Sequence, residues 1–163
     1  MPRLVLDPNV LISALIAPAG APARLVLLWL SGAYDLIVSA RLLDELERAL
    51  GRAKFARYAT PEERTAYVSL FRDHALTVAD PDVVEPVSRD PADDYLVALA
   101  RAAGADALVS GDAHLTGLPA TVCRVLTPRA AVELVEEIVE RHPPTGIVPS
   151  SAVRRSRGPG LER

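Results

Sequence analysis

The chain has 163 residues, half of them hydrophobic, and a formal charge of −3 at neutral pH. That length suits one domain with a tail, and the apolar content excludes wholesale disorder. Aromatics make up 4% and there is a single cysteine, which argues against base stacking as the main binding mode and excludes an internal disulfide or a cysteine-based zinc site.

Arg3-Leu4-Val5-Leu6 reads as a short buried strand ending at Asp7. Pro8 and Asn9 open a helix to about Ile16, broken by Pro18 and Gly20. A second helix runs from Ala21 to Leu30 and stops at Ser31-Gly32. Tyr34 to Val38 is the next strand. Ser39 is a good N-cap for a helix from Ala40 to Leu50, which ends before Gly51. Thr60-Pro61-Glu62-Glu63 combines a cap, a proline at the first position and acids in the first turn, so a helix runs from there to about Asp73. Ala75 to Val78 is strand-like, and Asp80 to Pro91, with three prolines, is loop. A helix from Ala92 to Ala103 is closed by Gly104. Ala107 to Ser110 and Val122 to Leu126 are further strands, and Thr127-Pro128 starts a last helix to about Arg141.

Strands alternate with helices, and each strand is a continuous apolar run. A parallel sheet covered on both faces follows, an α/β fold in three α/β/α layers over residues 1–141. From His142 to Arg163 the composition turns to proline, glycine and arginine (Arg154, Arg155, Arg157), the pattern of a flexible basic tail. Asp7 interrupts the first apolar stretch too early for a signal peptide, and the longest apolar run, Leu25 to Leu30, is too short to span a bilayer. The expectation is a soluble, cytoplasmic protein. Cys123, inside a strand-like run, reads as inert core, and Trp29 as core or a dimer contact.

In open α/β sheets, ligands bind beyond the carboxyl ends of the strands. Asp7 and Asp112 both follow strands, and Gly111 allows a sharp turn before Asp112. At about 100° per residue, the apolar face of the helix from Ala92 to Ala103 is centred on Leu96, Ala100 and Ala103. Asp93 then lies roughly 40° from that centre and Asp94 roughly 140° away, so Asp93 faces the sheet and Asp94 faces water. In the helix from Ala40 to Leu50, Asp44 points away from the core, while Glu45 and Glu47 flank it equally; periodicity does not choose between them. Carboxylates gathered within about 4–6 Å repel by roughly 4 kcal/mol per pair, and a divalent cation relieves this. All-oxygen ligation without His or Cys suits Mg²⁺ or Mn²⁺. That chemistry matches in-line attack of metal-activated water on a phosphodiester.

These residues carry a resemblance. Leu6-Asp7-Pro8-Asn9-Val10-Leu11-Ile12-Ser13 resembles the opening motif of PIN-domain proteins. Ser39 to Leu50 with Asp44-Glu45-Leu46 is similar to the second acidic motif of that family, Asp90-Pro91-Ala92-Asp93-Asp94 to the third, and Leu108-Val109-Ser110-Gly111-Asp112 with His114-Leu115 to the fourth. The similarity extends over about residues 3–139 and is greatest to the VapC-like subgroup, toxins of toxin–antitoxin pairs.

The resemblance implies a PIN-like fold and a metal-dependent ribonuclease with Asp7, Glu45, Asp93 and Asp112 as both catalytic and metal-binding acids. It selects Glu45 over Glu47. Asn9 matches a polar position that orients Asp7 or a metal-bound water, or caps a helix, and Ser110 matches a small hydroxyl supporting Asp112. His114 departs from the pattern, standing where the family often has a further acid. The implied cofactor is Mg²⁺ or Mn²⁺; the implied partners are RNA, a small antitoxin protein and a second copy of the chain. Two rivals stay open: a non-catalytic PIN-like binding module, and a different Mg²⁺-dependent phosphohydrolase. The second would want a functional lysine, and Lys54, the one lysine, is badly placed for it.

Overall fold

The computed structural model describes residues 1–143. The arginines expected in a basic tail, Arg154, Arg155 and Arg157, lie outside the described residues. Five strands form one all-parallel sheet: β1 (Arg3–Leu6), β2 (Asp35–Val38), β3 (Leu76–Thr77), β4 (Ala107–Val109) and β5 (Val125–Leu126). Their order is β3-β2-β1-β4-β5. The helices are α1 (Pro8–Ile16), α2 (Ala21–Leu30), α3 (Ala40–Leu50), α4 (Pro61–His74), α5 (Asp94–Ala102), α6 (Ala113–Thr116) and α7 (Pro128–Arg141). α1 packs on α2 and α3, α3 on α4, and α2 on α7, while α5 lies against β1 and β4. The chain steps from β1 to β3 in one direction and then crosses to β4 on the far side of β1. Right-handed crossovers therefore put α5 on the opposite face from α1–α4, giving three layers.

That reversal of strand order falls between β1 and β4, which is where such sheets open a crevice. Val5 pairs with Ile37 on one side and Leu108 on the other, and Leu6 pairs with Val109. Leu4, Val5, Leu6, Leu108 and Val109 are fully buried, each stabilising the sheet by about 1.5–3 kcal/mol. They bring the residues that follow, Asp7 and Ser110, side by side. On α3 the buried residues are Leu42, Leu43, Leu46, Ala49 and Leu50, the stripe that the leucine spacing predicts. Trp29 is core, stacked on Phe71 with ring centroids 5.3 Å apart. Cys123 is buried, and burial raises its thiol pKa, as expected of inert core. Among the described residues no single helix is long and apolar enough to cross a membrane.

Several boundaries differ from the sequence reading, for local reasons. The run Val122 to Leu126 pairs only at Val125 and Leu126, because Val122 and Cys123 donate their N–H groups to the Pro119 carbonyl in a turn. α5 starts at Asp94 rather than Ala92, since Pro91 to Asp93 form a turn closed by the Asp93 N–H on the Asp90 carbonyl at 3.0 Å. Gly104, at φ +62°, closes α5 in the left-handed conformation that glycine adopts without strain. Gly111 has no such need: its φ is not positive, and an added Cβ would meet nothing within 4 Å. The turn before Asp112 does not depend on a glycine.

Candidate active site

Asp7 is the last residue before α1 and its N-cap, 3% exposed. Its Oδ1 accepts the Asn9 N–H at 2.9 Å, and its Oδ2 accepts the Ser110 hydroxyl at 2.9 Å. Its own N–H donates to the Val109 carbonyl, which ties the acid to β4 as well as β1. The positive end of α1 favours a carboxylate here. Asn9 thus orients Asp7 through its backbone, while its exposed side chain faces the cleft. Ser110, fully buried, also accepts the Asp112 N–H at 3.1 Å. It serves Asp7 first and Asp112 second, a broader role than the expected support of Asp112 alone.

Asp112 caps the short helix α6, its Oδ1 accepting the His114 N–H at 2.8 Å. His114 itself is exposed. Asp93 stands at the N-terminus of α5, half-buried, with no hydrogen bond from its carboxylate to the first turn. Glu45 lies in the second turn of α3 and accepts a hydrogen bond from the Tyr95 hydroxyl through Oε2. Glu47 is exposed and lines a different hollow, with Leu50 and Arg64.

The charges of these acids reach one another. Burial raises the Asp7 pKa above 3.8; the Asn9 and Ser110 hydrogen bonds oppose this, and the charges of Glu45 and Asp112 reinforce it. Asp93 is pushed up to about 6, first by burial and then by the charges of Asp7, Asp90, Asp112 and Glu45. All four sequence-selected acids therefore share one electrostatic neighbourhood. They do not form a ready-made ligand cage: among the described residues, no three His, Cys, Asp or Glu side chains are arranged to hold a metal ion as they stand. The donor chemistry nevertheless fits a hard divalent cation, since every side-chain donor is a carboxylate oxygen and Asp93 is short of partners.

One sequence expectation is overturned. Asp94 does not face water; it is 3% exposed. Its Oδ1 accepts the Ser88 hydroxyl at 2.6 Å and the N–H groups of Ser88 and Val87 at 2.8 and 3.3 Å. Burial opposes its charge, yet those hydrogen bonds lower its pKa. The projection failed because α5 begins at Asp94, so the helical wheel had no true solvent side there. The loop before it folds back over the carboxylate. Three other neighbours of the site were missed. Asp90 adds charge at Asp93. Tyr95, 2% exposed, holds Glu45. Arg41 lays its guanidinium 4.2 Å from the Tyr95 ring centroid. A tyrosine hydroxyl inside the apolar run of α5 was the available signal, because a buried hydroxyl needs a partner.

Asp112 lines one cleft, and the two residues after it line a second. One, of about 300 Å³, is lined by Asp7, Asn9, Val10, Ser13, Gly111 and Asp112. The other, of about 600 Å³, is lined by Ser88, Arg89, Ala113, His114, Gly117 and Leu118. Asp7 and Asp112 give the first cleft two carboxylates, and Arg89 and His114 line the second.

The model of the PIN domain family matches residues 3–114. Among solved structures, a chain from VapBC2 of Rickettsia felis, crystallised bound to a DNA fragment from their promoter, is similar with a TM-score of 0.54 and 13% identity. The likeness covers 77% of this chain and 98% of that one, and concerns the fold. No curated protein matches the chain.

Proposed function

The chain belongs to the PIN-domain family, and from that membership we propose that it is a Mg²⁺- or Mn²⁺-dependent endoribonuclease, the toxin of a toxin–antitoxin pair. The supporting observation is the convergence of charge: Asp93 is pushed up to about 6 by burial and by the charges of Asp7, Asp90, Asp112 and Glu45. Such repulsion in a half-buried site is relieved by a divalent cation. Asp7, Asp93 and Asp112 would hold it, with Glu45 as a further ligand or a base that orients water, and the carboxylates would draw closer to do so. When bound, the ion supplies Lewis acidity at the phosphoryl oxygens and promotes ionisation of the attacking water.

The protein's own groups do the rest. The Ser110 hydroxyl and the Asn9 N–H hold Asp7 in one orientation. The cleft lined by Asp7 and Asp112 would give an RNA strand room, and Arg89 and His114, which line a second cleft, would offer contacts to its phosphates. A small antitoxin protein would occlude these clefts, and the chain would pair with a second copy of itself. The similar R. felis chain was solved as part of VapBC2, in keeping with a partner for this chain.

The test is cleavage of RNA with Mn²⁺ by wild type and Asp7→Asn. We expect at least a ~100-fold loss in the variant, consistent with removing a positioned charge at the reacting centre. Equal cleavage by both proteins would end the catalytic reading. Hydrolysis of a small phosphomonoester without RNA cleavage would favour a different phosphohydrolase.

A further inference from the structure

Two tyrosines, Tyr34 and Tyr95, are buried and a third, Tyr67, is partly buried, and they use their hydroxyls differently. Tyr34 donates to the Leu25 carbonyl at 2.9 Å, and Tyr67 to the Leu11 carbonyl at 2.6 Å. Both satisfy backbone and serve packing. Tyr95 instead donates to the carboxylate of Glu45, a side chain of the acidic site. A ring that is 2% exposed is held in place by its packing, so its hydroxyl is a fixed donor. Glu45 is a flexible side chain on another helix, and a charge-assisted hydrogen bond is strong enough to select one of its rotamers.

The same ring is gripped from α3. Arg41 and Glu45 are four residues apart on α3, a spacing that puts both on one side of the helix. Glu45 takes the hydroxyl while the Arg41 guanidinium lies 4.2 Å from the ring centroid. The backbone N–H of Arg41 donates to Asp80 Oδ2 at 3.0 Å, which ties this end of α3 to the segment after β3. Tyr95 follows Asp93 by two residues, so one turn of chain at the start of α5 delivers an acid and the group that orients a second acid.

We propose that Tyr95 is a positioning residue for Glu45: its hydroxyl fixes the carboxylate toward the other three acids and so sets both cation affinity and turnover. This rests on the reading of Glu45 as part of a cation-dependent ribonuclease site. The role assigned to Tyr95 is indirect. Its effect passes through Glu45, which makes it separable from a packing role.

The experiment is a double-mutant cycle on the full-length protein with Tyr95→Phe, Glu45→Gln and the pair. Mn²⁺ affinity is read from free Mn²⁺ by electron paramagnetic resonance, kcat and KM from RNA cleavage, and folding from thermal melting. Tyr95→Phe should weaken Mn²⁺ binding and lower kcat by about tenfold each, the worth of one hydrogen bond to a charged group. KM and melting temperature should stay close to wild type. In the Glu45→Gln background, Tyr95→Phe should cost nothing further. Glu45→Asp, which withdraws the carboxylate from the hydroxyl but keeps the charge, should mimic Tyr95→Phe and serves if that variant fails to fold. Wild-type behaviour of Tyr95→Phe, or the same loss with and without Glu45, overturns the proposal while leaving the ribonuclease reading intact. A wild-type protein that binds Mn²⁺ without cleaving RNA sinks that reading, and the Mn²⁺ cycle then decides the positioning role alone. A wild type that binds no Mn²⁺ sinks both.

Discussion

The Ser110 hydroxyl donates to Asp7 Oδ2 at 2.9 Å across 103 residues of sequence. The Ser110 hydroxyl oxygen also accepts the Asp112 N–H at 3.1 Å. One buried serine thus joins the end of β1 to the turn after β4, at the point where strand order reverses. Ser110→Ala leaves one Asp7 oxygen and the Asp112 N–H without that partner. The expected cost is about 1–3 kcal/mol of stability. Chemical denaturation measures it, and RNA cleavage should fall by about tenfold or more for the same loss expressed at the transition state. An unchanged unfolding midpoint would show that the serine bridge carries no weight.

Asp7→Asn should separate stability from activity. Burial raises the Asp7 pKa, and the charges of Glu45 and Asp112 raise it further. A neutral amide removes that repulsion and still accepts one hydrogen bond. Without divalent cation, the variant should be more stable than wild type by on the order of 1 kcal/mol, as functional sites commonly carry such strain. Thermal melting checks this. A variant less stable than wild type would mean that Asp7 contributes mainly as a helix cap.

Stability should fall with rising pH across the titration of Asp93. In the unfolded chain its carboxyl ionises near 3.8, whereas in the fold it keeps its proton up to about 6. Folding is therefore favoured by protons: the contribution is full below about pH 4 and lost by about pH 6. Asp7 acts with the same sign. Asp94, whose pKa is lowered, acts with the opposite sign and weakens the fold only as acid reaches its folded pKa. Melting temperatures of wild type and Asp93→Asn from pH 4.5 to 8 on the order of half-unit steps resolve this. The wild type should lose stability across the window, and the variant should lose much less. Parallel curves would deny that Asp93 feels its neighbours.

Asp94→Ala should loosen the loop that precedes α5. The carboxylate collects the Ser88 hydroxyl and the Ser88 and Val87 N–H groups. Removing it takes an acceptor from partly buried donors, the Ser88 hydroxyl keeping the Asp90 carbonyl, at an expected cost of about 1–3 kcal/mol. Limited proteolysis should then cut between Asp80 and Pro91 faster than in wild type. Resistance equal to wild type would show that the loop is held by other contacts.

The fold was legible where periodicity, caps and breakers agreed. β1, α1, α2 and α3 follow their sequence signals residue for residue, because Ser39 caps α3, accepting the Leu42 N–H, and Pro8 opens α1. Legibility failed where tertiary partners decide. Val122 looks like strand but turns on Pro119, and the start of α5 is set by the Asp90 to Asp93 turn. Asp7 and Asp112 could be singled out from strand ends; the helical projection also chose Asp93, although α5 begins one residue after it. Glu45 could not be told from Glu47, since both flank the apolar stripe of α3; the family pattern favoured Glu45, and its contact with Tyr95 separates the two in space. Asp94 was misplaced because a helical wheel has no view of a loop folding back on the first turn.

Mn²⁺-dependent RNA cleavage, titrated in wild type and Asp112→Asn, bears most directly on the acids acting as one site. Wild type should show cleavage that rises and saturates with Mn²⁺ and vanishes with chelator, and Asp112→Asn should lose both the saturation and at least ~100-fold of the rate. Cleavage indifferent to Mn²⁺, or equal in the two proteins, would contradict the account.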